Sequence, residues 1–203
     1  MDLTTVNRRE IAGYLGARQG VMDAALAALV EDCLLELNET VSPRHVSLTA
    51  ALSVENAEAE KPLLSFAGLR VNTRDLARNL SGCDEVLLFA ATIGEGADCV
   101  IRKYENTKLS RAAVCQAAAA AMIEAYCNTL NAEWKREYEA QGRFLRPRFS
   151  CGYGDFALAH QRDFLRVLEM EKRIGVHLND ALLMLPTKSV TAVIGIGNRI
   201  SDQ

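Results

Sequence analysis

The chain has 203 residues, 49% of them hydrophobic and 24% charged, with a formal charge of −3 and a pI near 5.7. That length is enough to bury one substantial core, while the acidic balance offers no Lys/Arg stripe to displace phosphate counterions, which argues against a nucleic-acid partner. No run approaches the roughly 20 apolar residues of a membrane span, and Met1-Asp2-Leu3-Thr4-Thr5 lacks the basic start and apolar run of a secretory signal, so a cytoplasmic protein is expected.

Residues 7–37 read as helical, with apolar positions at Ile11, Leu15, Met22, Leu26, Leu29, Val30, Cys33 and Leu37 and an interruption over residues 16–20. Val46, Leu48, Ala50, Leu52 and Val54 then alternate with Ser47, Thr49, Ala51 and Ser53, the period of a strand with one wetter face. Residues 56–61 form a charged turn. Residues 63–71 read as a returning strand, and residues 73–80 as a short helix capped by Thr73 or Asn72. The apolar run from Val86 to Thr92 suits a strand buried on both faces. A long helix follows over residues 110–138, its seam Leu109, Ala113, Gln116, Ala120, Ile123, Cys127, Leu130 and Trp134 stepping four and three residues in turn. Residues 142–155, with Pro147, Gly152 and Gly154, are irregular. Asp155 can cap a helix over residues 156–174, which Gly175 ends after Lys172 and Arg173. Residues 190–196 make a last strand. Helices and strands do not alternate regularly, so the fold class expected is α+β, with a largely antiparallel twisted sheet and packed helices.

Several chemistries find no support. Gly94-Glu95-Gly96 follows a strand, but Cys99 stands where a dinucleotide fingerprint needs its third glycine. Gly195-Ile196-Gly197 has too little chain after it for a phosphate-binding helix. His45, His160 and His177 lack metal-ligand spacing, and no Asp-x-His-x-x-Gly segment is present to offer cobalt an axial histidine. The six cysteines (Cys33, Cys83, Cys99, Cys115, Cys127 and Cys151) never form Cys-x-x-Cys, which disfavours structural zinc and leaves reduced, mostly buried thiols as the expectation. No Gly-x-Ser-x-Gly elbow indicates a hydrolase. Neither a catalytic proton-transfer residue nor a metal site is identified.

The informative stretch runs from Arg148-Phe149-Ser150-Cys151-Gly152-Tyr153 through a helix ending Arg173-Ile174-Gly175, then Met184-Leu185-Pro186 and Ser189-Val190. It resembles the activation (reactivation) domain of cobalamin-dependent methionine synthase, which shows an Arg-Pro-x-x-Gly-Tyr loop, an Ile-Gly-like helix end, a Met-x-Pro and a Ser-Val strand start in the same order. The resemblance covers residues 84–197 and is loose over residues 1–83, so one activation-like domain over residues 1–203 is expected. Two departures stand out: Gly154-Asp155-Phe156-Ala157 replaces a Pro-x-Cys-Pro-like stretch, and the sequence ends at Gln203, before the His-Pro and tyrosine-containing tail of the longer enzymes.

The resemblance implies binding of S-adenosylmethionine for reductive remethylation of a cobalamin held by a partner, a methionine synthase core served by a flavodoxin- or ferredoxin-like reductant. The chain would then be a component of a methyltransferase without a complete active site of its own. The residues suit such a ligand. Arg148 offers a planar fork to its carboxylate. Ser150 and Cys151 lie where backbone groups could read the adenine edge, Gly152 permits close approach, and Tyr153 supplies a ring and a hydroxyl. Glu124 emerges from a helix strip with Ala117, Ala121 and Asn128, where a carboxylate could offset the ligand's cationic groups. The alternative is a non-catalytic docking or chaperone module for another corrinoid-dependent methyltransferase.

Overall fold

The computed structural model describes residues 1–198, with Arg18 described by its backbone alone. The first helical stretch is two helices, α1 (Arg8–Tyr14) and α2 (Ala24–Thr40), separated where the interruption was expected. Asn7 accepts from the Arg9 and Glu10 amides and Asp23 from the Leu26 amide, so each helix starts at a side chain that satisfies its orphan donors.

The period-two run over residues 46–54 divides between two sheets. Its first part, β1 (Arg44–Ala51), lies antiparallel to β5 (Glu85–Thr92), with Leu48 opposite Leu88. Its end, β2 (Ser53–Glu55), turns away to pair with β3 (Leu63–Phe66). The single returning strand expected over residues 63–71 is instead a hairpin, β3 and β4 (Leu69–Asn72). Its two-residue turn, Ala67-Gly68, has both residues at positive φ, the twist that lets two strands close tightly on each other. Thr73 then caps α3 (Arg74–Asn79), its hydroxyl accepting from the Leu76 amide at 3.2 Å.

The main sheet has the order β1-β5-β9-β6, with β9 spanning Ser189–Asn198 and β6 Arg143–Leu145, and every pairing in it is antiparallel. The α+β architecture expected from the sequence is therefore present. Alternation along β5 feeds two cores. Leu87, Phe89 and Ala91 pack with α2, α4 (Gly96–Glu105) and α5 (Leu109–Ala140). Val86, Leu88 and Ala90 face the β3–β4 hairpin, α3, α6 (Gln161–Val167) and α7 (Met170–Ile174). Covered on both sides, β5 has no place for the polar face that would have broken its apolar run.

Further expectations are corrected. The seam on α5 holds only in its second half: Ile123, Cys127, Leu130 and Trp134 are buried, whereas Leu109 is 75% exposed and Ala113 and Gln116 face outward. A strict four-and-three step drifts about 20° per heptad around a straight helix, so over this length its start rotates off the core. The helix expected over residues 156–174 is two short ones, broken at Glu169 in the left-handed region, although Gly175 does end the second. Asp155 caps α3 instead of that helix, accepting from the Arg74 and Asp75 amides at 3.0 and 3.1 Å and from the Thr73 hydroxyl. The stretch read as irregular over residues 142–155 also contains β6, and a short pair, β7 (His177–Leu178) and β8 (Met184–Leu185), precedes β9. All six cysteines are free thiols; Cys33, Cys115, Cys127 and Cys151 are buried, and Cys99 is exposed.

Candidate functional site

The loop after β6 is tied down at both ends. The Arg146 amide donates to the Gly195 carbonyl at 2.8 Å, and Phe149 exchanges two backbone hydrogen bonds with Val193 on β9, at 2.9 and 2.8 Å. Further along, the Gly152 amide donates to the Phe156 carbonyl and the Tyr153 amide to the Ser150 carbonyl. Gly152 sits at φ 91°, a value few side chains tolerate, which lets the chain reverse within this short segment. The buried Phe156 ring and Cys151 thiol anchor the underside in the second core. What remains outward is Arg148, Ser150 and Tyr153.

Opposite this loop runs α5, and the two enclose a hollow of about 210 Å³ lined by Glu124, Arg148, Phe149, Ser150, Tyr153 and Val190. Arg148 Nη2 donates to the Glu124 carboxylate at 3.2 Å and to the Asn128 side-chain oxygen at 2.9 Å. Both charged side chains are partly shielded, so their attraction is screened less than on an open surface. The guanidinium also lies beside the buried Cys127 thiol, and its Nη1 is buried with no hydrogen-bond partner among the described residues. Burial pushes the Cys127 thiol up to about 12, the nearby guanidinium opposing the rise. Tyr153 is 67% exposed, and its ring meets Phe149 edge-on at 6.4 Å.

Of the residues singled out in the sequence, Glu124, Arg148, Ser150 and Tyr153 converge on this hollow. Cys151 and Gly152 do not line it: the Cys151 thiol turns into the core, where burial pushes it up to about 12, and Gly152 shapes the turn. Phe149 and Val190 were not singled out. Val190 joins the site through the position of β9 beside α5, which no local pattern reports. Asn128 follows Glu124 by one helical turn, a spacing visible in the sequence, and its contact to Arg148 supplies the reason it matters.

The residues fit a ligand bearing both charges. A half-buried guanidinium with a spare donor suits a carboxylate, the facing carboxylate suits an ammonium or sulfonium, and the exposed ring suits a flat heterocycle. The volume is below the roughly 300–1,000 Å³ of ordinary small-molecule sites, so the hollow would grip one end of such a ligand and leave the rest across its rim.

A family model described as the activation domain of vitamin B12-dependent methionine synthase matches residues 74–200. Among solved structures, a crystal structure of the MetH reactivation domain bound to AdoHcy is similar, with a TM-score of 0.63 and 16% sequence identity. The match covers 87% of this chain and 66% of that one, so the chain spans just under two thirds of the structure it resembles, and at that identity the likeness is one of fold. No curated protein matches the sequence. All the hollow-lining residues fall inside the stretch that the family model covers.

Proposed function

Since the chain belongs to the family of vitamin B12-dependent methionine synthase activation domains, we propose that it binds S-adenosylmethionine in the hollow between Glu124, Arg148 and Tyr153 and presents it to a cobalamin carried by a separate methionine synthase core. Bound there, S-adenosylmethionine would supply an activated methyl group to the partner's cobalamin, once a flavodoxin- or ferredoxin-like donor had reduced it, and would leave as S-adenosylhomocysteine. The observation that carries this reading is the meeting of Arg148 and Glu124 across one hollow, 24 residues apart in sequence.

The chain's own part is to bind, orient and exclude water. Arg148 turns its fork to the ligand carboxylate, and Glu124 takes the positive end. The ligand thus exchanges one ion pair for two, and neither protein charge is left buried alone. Phe149 and Val190 supply the apolar part of the hollow's lining, and the Tyr153 ring covers the part of the ligand that reaches the rim. No proton needs to move on the protein. The reading places this work in the cytoplasm, with the chain acting as one domain.

Calorimetric titration of the full chain with S-adenosylmethionine tests this, first alone and then with the cobalamin-loaded core present. Saturable binding that Arg148→Ala abolishes is the expected result. No binding under either condition would sink it and leave a docking or chaperone module for a corrinoid-dependent methyltransferase as the surviving account.

A further inference from the structure

One residue that grips the site stands outside the hollow. Asn128 is not part of the lining. It lies exposed on α5, one turn beyond Glu124, and its side-chain oxygen accepts from Arg148 Nη2 at 2.9 Å. Glu124 accepts from the same nitrogen at 3.2 Å. Charge alone would order these two contacts the other way, because a bond from a guanidinium to a carboxylate ordinarily closes to about 2.7–2.9 Å. The neutral amide therefore sets where the guanidinium sits, and the carboxylate is held loosely. The backbone beside them is already fixed, since Phe149, the next residue in the loop, exchanges hydrogen bonds with Val193 at 2.9 and 2.8 Å. What freedom Arg148 keeps is that of its long side chain, and Asn128 restrains the tip.

We propose that Asn128 is the positioning residue for Arg148, holding the guanidinium at the hollow when a cationic ligand group draws Glu124 away. The inference rests on the reading that S-adenosylmethionine binds here, and adds how the site keeps its grip on the carboxylate end. An ammonium or sulfonium entering the hollow competes with Arg148 for Glu124, so the ion pair loosens at the moment the guanidinium is needed. Asn128 does not take part in that exchange. An amide oxygen accepts a hydrogen bond without bringing a charge that would attract the ligand's cationic end. An aspartate there would put a second carboxylate on one guanidinium and compete with the ligand's own. Arg148 Nη1 is buried with no hydrogen-bond partner among the described residues, so the contact through Nη2 carries the restraint. Among the described residues Arg148 is also the one side-chain partner of Asn128, which confines its influence to whatever Arg148 binds.

The test is titration of the intact chain, wild type beside Asn128→Ala, with two ligands. One is S-adenosylmethionine; the other is its decarboxylated analogue, which keeps the amine, the sulfonium and the adenosine. Alanine at an exposed helix position favours the helix, so the variant should keep the wild-type melting profile. The expected result is a loss of roughly five- to tenfold for S-adenosylmethionine, the scale of one net hydrogen bond, and an affinity within about twofold of wild type for the analogue. Binding of S-adenosylmethionine that Asn128→Ala leaves intact overturns the role of Asn128 and spares the site. Equal losses for both ligands overturn positioning through the carboxylate and make Asn128 a structural residue. A wild type that binds neither ligand, alone or with the cobalamin core, overturns both readings together.

Discussion

Arg148 Nη2 reaches Glu124 at 3.2 Å and Asn128 at 2.9 Å, so a single guanidinium ties the loop after β6 to two successive turns of α5. Lysine carries the same charge but has no planar fork with which to hold Asn128 and a ligand carboxylate together. Arg148→Lys should therefore weaken S-adenosylmethionine binding by roughly tenfold or more. Stability should change little, because a partly exposed pair contributes at most about 1 kcal/mol. Calorimetry beside a thermal melt separates the two effects, and wild-type affinity in this variant would remove Arg148 from the site.

Glu36 on α2 receives hydrogen bonds from Lys103, Tyr104 and Arg111. Burial alone would raise its carboxyl, but these partners outweigh it and bring it to about 2 from an ordinary value of 4.5. The folded value lies below the unfolded one, so this stabilisation is complete above pH 4.5 and is lost as the pH falls toward 2. Glu36→Gln should lower the urea midpoint at pH 7, and the gap from wild type should close on acidification through that window. A gap that stays constant from pH 6 to pH 2 would contradict the assignment.

Gly96, the first residue of α4, stands against the Thr40 backbone at the end of α2: an added Cβ would overlap the Thr40 carbonyl oxygen and come within 2.7 Å of its carbon. Backbone cannot step aside as a side-chain tip can. Gly96→Ala should cost about 1–3 kcal/mol through overpacking, despite alanine's better helix propensity. Chemical denaturation would show this, and an unchanged or raised stability would mean that α2 and α4 are less closely apposed.

Thiol accessibility offers a check on the two cores. Cys127 and Cys151 are buried, and burial pushes both to about 12, so at pH 8 they are neither ionised nor reachable. Cys33 and Cys115 lie fully inside the helical core. Reaction of the native protein with an aromatic disulfide reagent should show a fast phase at Cys99 and a slower one at half-buried Cys83, with the other four appearing only on denaturation. Rapid labelling of Cys151 in the native state would show that the loop beneath Tyr153 opens.

The parts of the fold that were legible in the sequence are those decided within a turn or a pleat. The break between α1 and α2, the Thr73 cap, the uninterrupted apolar run of β5 and the Gly175 stop each depend on neighbours a few residues away. The errors are non-local. Leu52 marks where one alternating run changes sheets, and either sheet satisfies the same period. Asp155 had a helix in front of it by sequence and α3 beside it in space, and the nearer amides took its carboxylate.

The site divides in the same way. Local pattern and family likeness sufficed to single out Arg148, Ser150 and Tyr153 in one loop and Glu124 on one helix strip, because residue type and short spacing are written along the chain. Tertiary structure alone decided that the loop faces that strip, that Cys151 turns inward, and that Phe149 and Val190 join the lining. Such relations depend on how a sheet and its helices stack around two cores, and packing joins residues that sequence distance keeps apart.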